Sequence, residues 1–164
     1  MGNHQNNART GNFIYENKMT EQLGKSRNNS TYFDDFDFVR GKFNYRVAEV
    51  KIWHNNQYVT GIQTVYEMDG TKKSPGAHQG TNLGTKCEVL TLQQDEFISG
   101  LLIRSGEWID SITIQTNKGR SITGGGQGGS ATTFQISKGY QFVAFNGATS
   151  QYLDTFQATF DNIF

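Results

Sequence analysis

The sequence predicts an all-β domain, and three observations carry that prediction. The first is residue usage. Among 164 residues there are 17 Thr and 21 aromatic residues, against 7 Leu and 7 Ala, with 19 Gly and a single Pro. Thr and aromatic side chains favour strands, whereas Leu and Ala are the residues a helical domain uses most. The second is a succession of short apolar runs with alternating side chains, punctuated by Gly, Asn and Asp; alternation of period two marks half-buried strands. The third is a stretch that matches itself at three places along the chain, which marks a repeated structural unit. The length fits one domain rather than two.

Taken in order, residues 1–30 stand apart from the rest. They are rich in Asn and carry charges of both signs, and their large hydrophobic residues after Met1 are Phe13, Ile14, Tyr15, Met19 and Leu23. Such a segment buries too little apolar area to fold alone. It reads as an extended polar arm before a domain over residues 31–164, with Phe13, Ile14 and Tyr15 as the anchor that docks it on a partner or on the domain. Within the arm, Lys18–Lys25 has the makings of a short helix, capped by Thr20 and stopped by Gly24. From Tyr32 onward the expected strands are Phe33–Val39, Val47–His54, Tyr58–Met68, Lys86–Leu92, Phe97–Ile103, Trp108–Asn117, Arg120–Thr123, Thr133–Ile136, Gln141–Asn146 and Tyr152–Phe160. Asp69-Gly70, Asn117-Lys118-Gly119 and Lys138-Gly139 read as turns in which Gly supplies a positive φ. Ten short strands at this spacing build a sandwich, a barrel or a prism.

The repeat narrows that choice. Asn56-Gln57-Tyr58-Val59-Thr60-Gly61-Ile62, Gly106-Glu107-Trp108-Ile109-Asp110-Ser111-Ile112 and Ser150-Gln151-Tyr152-Leu153-Asp154-Thr155-Phe156 share one pattern. It runs small or Asn, Gln or Glu, aromatic, aliphatic, Thr or Asp, small, then alternating apolar. Each copy is a loop tip feeding a long strand, so three copies imply pseudo-threefold symmetry about a common axis. The aliphatic positions are core. Asp110 and Asp154 sit just inside their strands, where Asp is disfavoured. Two readings fit them: each bonds the backbone of its own loop, or each accepts hydrogen bonds from a polyhydroxylated ligand.

At this point the residues resemble a known family. Phe33-Asp34-Asp35, Gly61-Ile62-Gln63-Thr64-Val65-Tyr66 with Asp69-Gly70, Asp110 through Arg120, and Gly147 through Asp154 ahead of Thr155-Phe156 together look like a jacalin-related lectin domain, over about residues 31–160. The resemblance implies a β-prism of three antiparallel Greek-key sheets, and sugar binding without metal, cofactor or catalysis. In the family, the last apex loop holds the sugar through two backbone N–H groups and one carboxylate. By position these fall on Gln151, Tyr152 and Asp154, in the tip that starts at Ser150. The family's Gly-x-x-x-Asp pattern stands instead in the second tip, from Gly106 through Glu107 and Trp108 to Asp110. The first tip has Thr60 in place of Asp. The Gly-rich loop that completes the family's pocket would fall near Asn28-Asn29-Ser30, which holds no Gly.

Other chemistries find little support. Lys plus Arg equals Asp plus Glu at 15 each, which argues against nucleic-acid binding by phosphate neutralisation and against a polybasic membrane surface. Cys87 is alone, so an internal disulfide and a Cys-based zinc site are excluded. His4, His54 and His78 are too scattered for a metal site. Gly124–Gly129 lacks the Lys-Ser/Thr of a phosphate loop and reads as a connection between strands. No run reaches the roughly 18 apolar residues of a membrane span, and the N-terminus lacks the build of a signal peptide; a cytoplasmic protein is expected. Two functions follow. One is a non-catalytic lectin-type domain whose partner is a mannose- or glucose-type glycan or glycoprotein. The other is a structural subunit of a larger assembly, such as the cytoskeleton, anchored through residues 1–30.

Overall fold

The computed structural model describes residues 18–163. Two short strands, β1 (Leu23–Gly24) and β2 (Thr31–Asp34), precede one helical turn, α1 (Phe36–Val39). A first group of strands follows: β3 (Tyr45–His54), β4 (Val59–Met68), β5 (Thr71–Lys73), β6 (Ala77–Gln79) and β7 (Lys86–Thr91). A second group holds β8 (Ile98–Ser105), β9 (Ile109–Thr116), β10 (Ser121–Gly125) and β11 (Ser130–Gln135). The chain closes with β12 (Tyr140–Thr149) and β13 (Leu153–Asn162).

Antiparallel pairing turns these strands into three copies of one unit. The β8–β9 hairpin carries β11 on the β8 side and β10 on the β9 side. In chain order that is the 4-1-2-3 arrangement of a Greek key. The β3–β4 hairpin repeats it, with β7 beside β3 and the split pair β5 and β6 beside β4. The β12–β13 hairpin carries β2 and β1 in the same two places. The third Greek key therefore draws its outer strands from the start of the chain. The second and third sheets touch through the single pair Phe142–Ile98. The result is the three-sheet, all-β prism expected from the repeat.

The inner faces meet in one core. Ile52, Ile62 and Tyr66 come from the first sheet, Ile98, Leu101, Ile103, Ile112 and Ile114 from the second, and Phe142, Phe145 and Phe156 from the third, all fully buried. Tyr66 crosses between sheets and donates its hydroxyl to Val143 O at 2.7 Å, which satisfies a polar group that burial would otherwise leave unpaired.

Three local expectations change. Residues 18–25 form no helix. Phe160 N donates to Lys18 O at 2.8 Å, Thr20 N to Ala158 O at 2.9 Å and Lys25 N to Asp154 O at 3.0 Å, while Leu23 and Gly24 pair with Phe156 and Thr155. The open edge of β13 offers backbone partners that a short polar helix would leave unused. Residues 18–30, read from sequence as arm, thus run along the third sheet. The strand expected over Phe33–Val39 stops at Asp34. There the Asp34 carboxylate accepts from Phe36 N at 3.0 Å and starts α1, and Asp35 turns inward onto His78 Nε2 at 2.7 Å. Finally β1, β5 and β6 escape sequence reading because two or three residues carry no period.

At the end opposite the hairpin tips, the buried Glu96 accepts from Arg120 Nε at 2.9 Å, Arg120 Nη2 at 2.6 Å and Thr116 Oγ1 at 2.6 Å. These partners, Arg120 first, hold its carboxyl at about 2, well below the usual carboxylate range. A depressed folded-state pKa contributes stability that is present above the unfolded value and lost as pH falls through the folded one. Glu96→Gln should therefore lower Tm by about 5 °C at neutral pH. In thermal melts between pH 7 and pH 2, that difference should shrink as pH falls from the ordinary Glu range toward 2.

A second prediction concerns residues 18–24. Gly24 has φ +84°, and a Cβ there would lie 2.1 Å from Asp154 O, whereas Gly41 has φ +79° with open space around it. Gly41→Ala should cost about 1–2 kcal/mol from the left-handed backbone alone. Gly24→Ala should cost at least about twice that, because backbone must also move. Urea titration of both variants measures the contrast.

Candidate functional site

The three repeat copies become three hairpin tips at one end of the prism. The first spans residues 55–58, the second 106–108 and the third 150–152, each between the paired ends of a hairpin. Each closes on itself: Asn55 N donates to Tyr58 O at 3.2 Å, Gly106 N to Trp108 O at 3.0 Å, and Ser150 N to Tyr152 O at 3.0 Å. The tip aromatics meet on the axis. Ring centroids lie 5.1 Å apart for Tyr58–Trp108, 4.7 Å for Tyr58–Tyr152 and 5.1 Å for Trp108–Tyr152. Aromatic pairs at such distances contribute roughly 0.5–1.5 kcal/mol each beyond area burial, so this triangle ties the three tips together.

The next repeat position is equally regular. The carbonyls of Thr60, Asp110 and Asp154 accept from Gly80 N at 2.8 Å, Gly126 N at 2.8 Å and Lys25 N at 3.0 Å. Each donor opens the connection between the third and fourth strands of its own Greek key, and that connection then passes over the side chain at the repeat position. Strand register aligns the three connections. Lys86 pairs with His54, Ser130 with Ser105 and Thr31 with Thr149. One residue upstream, Thr85, Gly129 and Ser30 are therefore equivalent, as are Gly84, Gly128 and Asn29.

These connections give the two carboxylates different surroundings. Over Asp110 lie Gly128 and Gly129, so close that a Cβ on either would stand 2.6 Å from a carboxylate oxygen. Arg104 holds this loop by donating to Gly128 O at 2.9 Å and Gly129 O at 3.0 Å. Asp110 is 7% exposed. Burial raises its pKa, with the Arg104 charge and a hydrogen bond from its own backbone pulling the other way. Among the described residues no other side chain donates to it. Asp154 is 0% exposed. Ser30 Oγ donates to it at 2.7 Å, Ser150 Oγ at 2.8 Å and Arg27 Nη1 at 3.3 Å.

The connection over the third tip also reaches the second. Lys25 Nζ pairs with Glu107 at 2.9 Å, Arg27 lies 3.7 Å from the same carboxylate, and the Arg27 guanidinium stacks 4.3 Å from the Trp108 ring centroid. The hydrogen bond from Lys25 lowers the Glu107 pKa. The first tip has no carboxylate. Thr60 is fully buried there, and His54 accepts from Asn56 N at 3.1 Å through Nδ1 and donates Nε2–H to Glu88 at 2.8 Å.

The structure thus brings together Gly106, Glu107, Trp108 and Asp110 with Gly128 and Gly129, and Ser150, Gln151, Tyr152 and Asp154 with Arg27 and Ser30. Phe13, Ile14 and Tyr15 lie outside the described residues. Arg27, Arg104, Gly128 and Gly129 were not singled out in the sequence as site residues, whereas Ser30 stands in the segment where the family's pocket-completing loop falls. The signal that could have found the glycines is the Gly124–Gly129 run that follows the second tip.

This geometry has relatives. The family model of the jacalin-like lectin domain matches residues 20–159. The chain belongs to the jacalin-like lectin domain family. The match starts at residue 20, within the segment that runs along β13. Jacalin-related lectin 5 of Arabidopsis thaliana is 33% identical over 107 residues, 62% of this jacalin-like chain but 14% of that relative's length. Among solved structures, frutalin from Artocarpus incisa superposes with a TM-score of 0.74 at 19% identity, covering 90% of this chain and 97% of the other. Artocarpin complexed with Me-α-mannose gives 0.73 at 19% identity, covering 90% and 99%. At such identities these structures establish the fold.

The jacalin-like fold makes the axial triangle a stability element. Trp108→Ala should lower stability by about 2 kcal/mol, below the range for deleting a fully buried aromatic because Trp108 is only half-buried, and Trp108→Phe by clearly less. Chemical denaturation at neutral pH measures both.

Proposed function

We propose that this jacalin-like lectin domain is a non-catalytic carbohydrate-binding protein, and that a mannose- or glucose-type glycan is held at the second tip by Gly106, Glu107, Trp108 and Asp110. The observation that carries the reading is the Asp110 carboxylate, which lies beneath two glycines and takes no hydrogen bond from another side chain among the described residues. A carboxylate accepts from two adjacent hydroxyls in charge-assisted bonds. Gly128 and Gly129 carry no side chain, so a pyranose ring can approach the acceptor closely. The backbone N–H groups of Glu107 and Trp108 occupy the positions that correspond to Gln151 and Tyr152 in the third tip. Support for the sugar class comes from artocarpin, a fold relative complexed with Me-α-mannose. The third tip offers the same roles by position at Ser150, Gln151, Tyr152 and Asp154, but its carboxylate already holds three internal donors.

The test is isothermal titration with methyl α-mannoside. Asp110→Asn should weaken binding at least about tenfold, since a hydrogen bond to a charged group contributes roughly 1.5–3 kcal/mol. Binding should also weaken as pH falls through the raised Asp110 pKa, because protonation removes the charged acceptor. Asp154→Asn should lower thermal stability instead. Loss of binding in Asp154→Asn with full binding in Asp110→Asn would move the site to the third tip.

A further inference from the structure

We infer that Ser30, backed by Arg27, acts as an internal ligand that closes the third tip, so that each chain presents one open carboxylate tip. The inference rests on the carbohydrate reading of the tips. Strand register makes Ser30 the counterpart of Gly129. Where Gly129 leaves the Asp110 carboxylate uncovered by any side chain, Ser30 places a hydroxyl on Asp154 Oδ2 at 2.7 Å, while the Ser150 hydroxyl sits on Oδ1 at 2.8 Å. Two hydroxyls, one on each carboxylate oxygen, reproduce the contact that two neighbouring sugar hydroxyls would make. Arg27 adds a charged donor at 3.3 Å. Three of the roughly four acceptor positions of the carboxylate are thus taken, and the group has no exposed surface left.

A free sugar cannot displace these donors at ordinary concentration. They are covalently tethered, so they meet the carboxylate at an effective concentration of millimolar or more, whereas the sugar must give up translational freedom to do the same. The closing segment is itself fixed at both ends. Lys25 N donates to Asp154 O at one end and Thr31 pairs with Thr149 at the other, while Lys25 Nζ and Arg27 hold Glu107 and the Trp108 ring of the neighbouring tip. Opening the third tip therefore needs removal of the Ser30 and Arg27 side chains rather than a rotamer change.

The experiment compares the full chain with Ser30→Gly, which leaves the Arg27 contacts to Glu107 and Trp108 in place, and with the double variant Arg27→Gly, Ser30→Gly. Methyl α-mannoside is followed by titration calorimetry and by 15N chemical shifts, and cross-linking by turbidity with a mannose-bearing polymer. The wild-type chain should bind one equivalent per chain. The double variant should bind two and give more turbidity than the wild type at equal chain concentration. Adding Asp154→Asn should return it to one equivalent, and adding Asp110→Asn instead should leave only the newly opened tip. If the wild type binds no sugar while the double variant gains one equivalent that Asp154→Asn removes, the closure stands and the second-tip reading falls. A wild type that binds two equivalents, or a wild-type site lost with Asp154→Asn, overturns the closure. So does a folded double variant whose third tip still binds nothing. Should the double variant unfold, Ser30→Gly alone carries the same comparison, with a gain at least tenfold over the wild-type third tip expected and no gain overturning it.

Discussion

The backbone ladder that carries residues 18–25 along β13 is the constraint from which much of the rest follows. Without it the third Greek key has a bare edge, and the hairpin that supplies Phe142, Phe145 and Phe156 to the core stands half covered. Once Lys25 N bonds Asp154 O, the next few residues must climb over the third tip before Thr31 can pair with Thr149. That path delivers Ser30 to the Asp154 carboxylate and Arg27 to the Trp108 ring. A hydrogen-bonded edge thus decides which side chains reach the tip.

Pseudo-symmetry makes the consequence legible. The same strand pairing recurs three times, down to the donor that reaches the carbonyl at the repeat position, yet the three tips carry different chemistry. The first buries a Thr hydroxyl, the second leaves a carboxylate under glycine, and the third saturates a carboxylate with serine and arginine. A fold held by backbone pairing and an axial aromatic triangle tolerates this divergence, because main-chain bonds that do not depend on the varying side chains set the path of each tip. The side chains of Ser30, Ser150 and Arg27 separate an occupied acceptor from one free of other side chains.

Much of this was legible in the sequence, and the parts that were not share a cause. The long hairpin strands announced themselves through alternation, and the tips through Tyr58, Trp108 and Tyr152 at matching positions. The resemblance to jacalin-related lectins followed from the same residues. Leu23–Gly24 and Ala77–Gln79 were silent, since two or three residues carry no period and pair only through strands far along the chain. Asp34 and Asp35 fell inside the strand expected over Phe33–Val39, because nothing local shows that one carboxylate starts a helical turn and the other meets His78. Gly124–Gly129 read as a bare connection, although Gly125, Gly128 and Gly129 lie against Asp110.

The sequence by itself determined the all-β class, the threefold repeat and the acidic residues at two of the three tips. Each of these is written in local pattern: alternation, turn residues and self-similarity. Only the tertiary structure decided which strands complete the third sheet and which carboxylate keeps its acceptor positions free of other side chains. Those outcomes depend on contacts between residues more than 100 positions apart, such as Thr31 with Thr149 and Ser30 with Asp154. The physical reason is that a carboxylate's availability is set by the donors folding brings to it, and no feature of Asp154 or its neighbours in sequence encodes the arrival of Ser30 and Arg27.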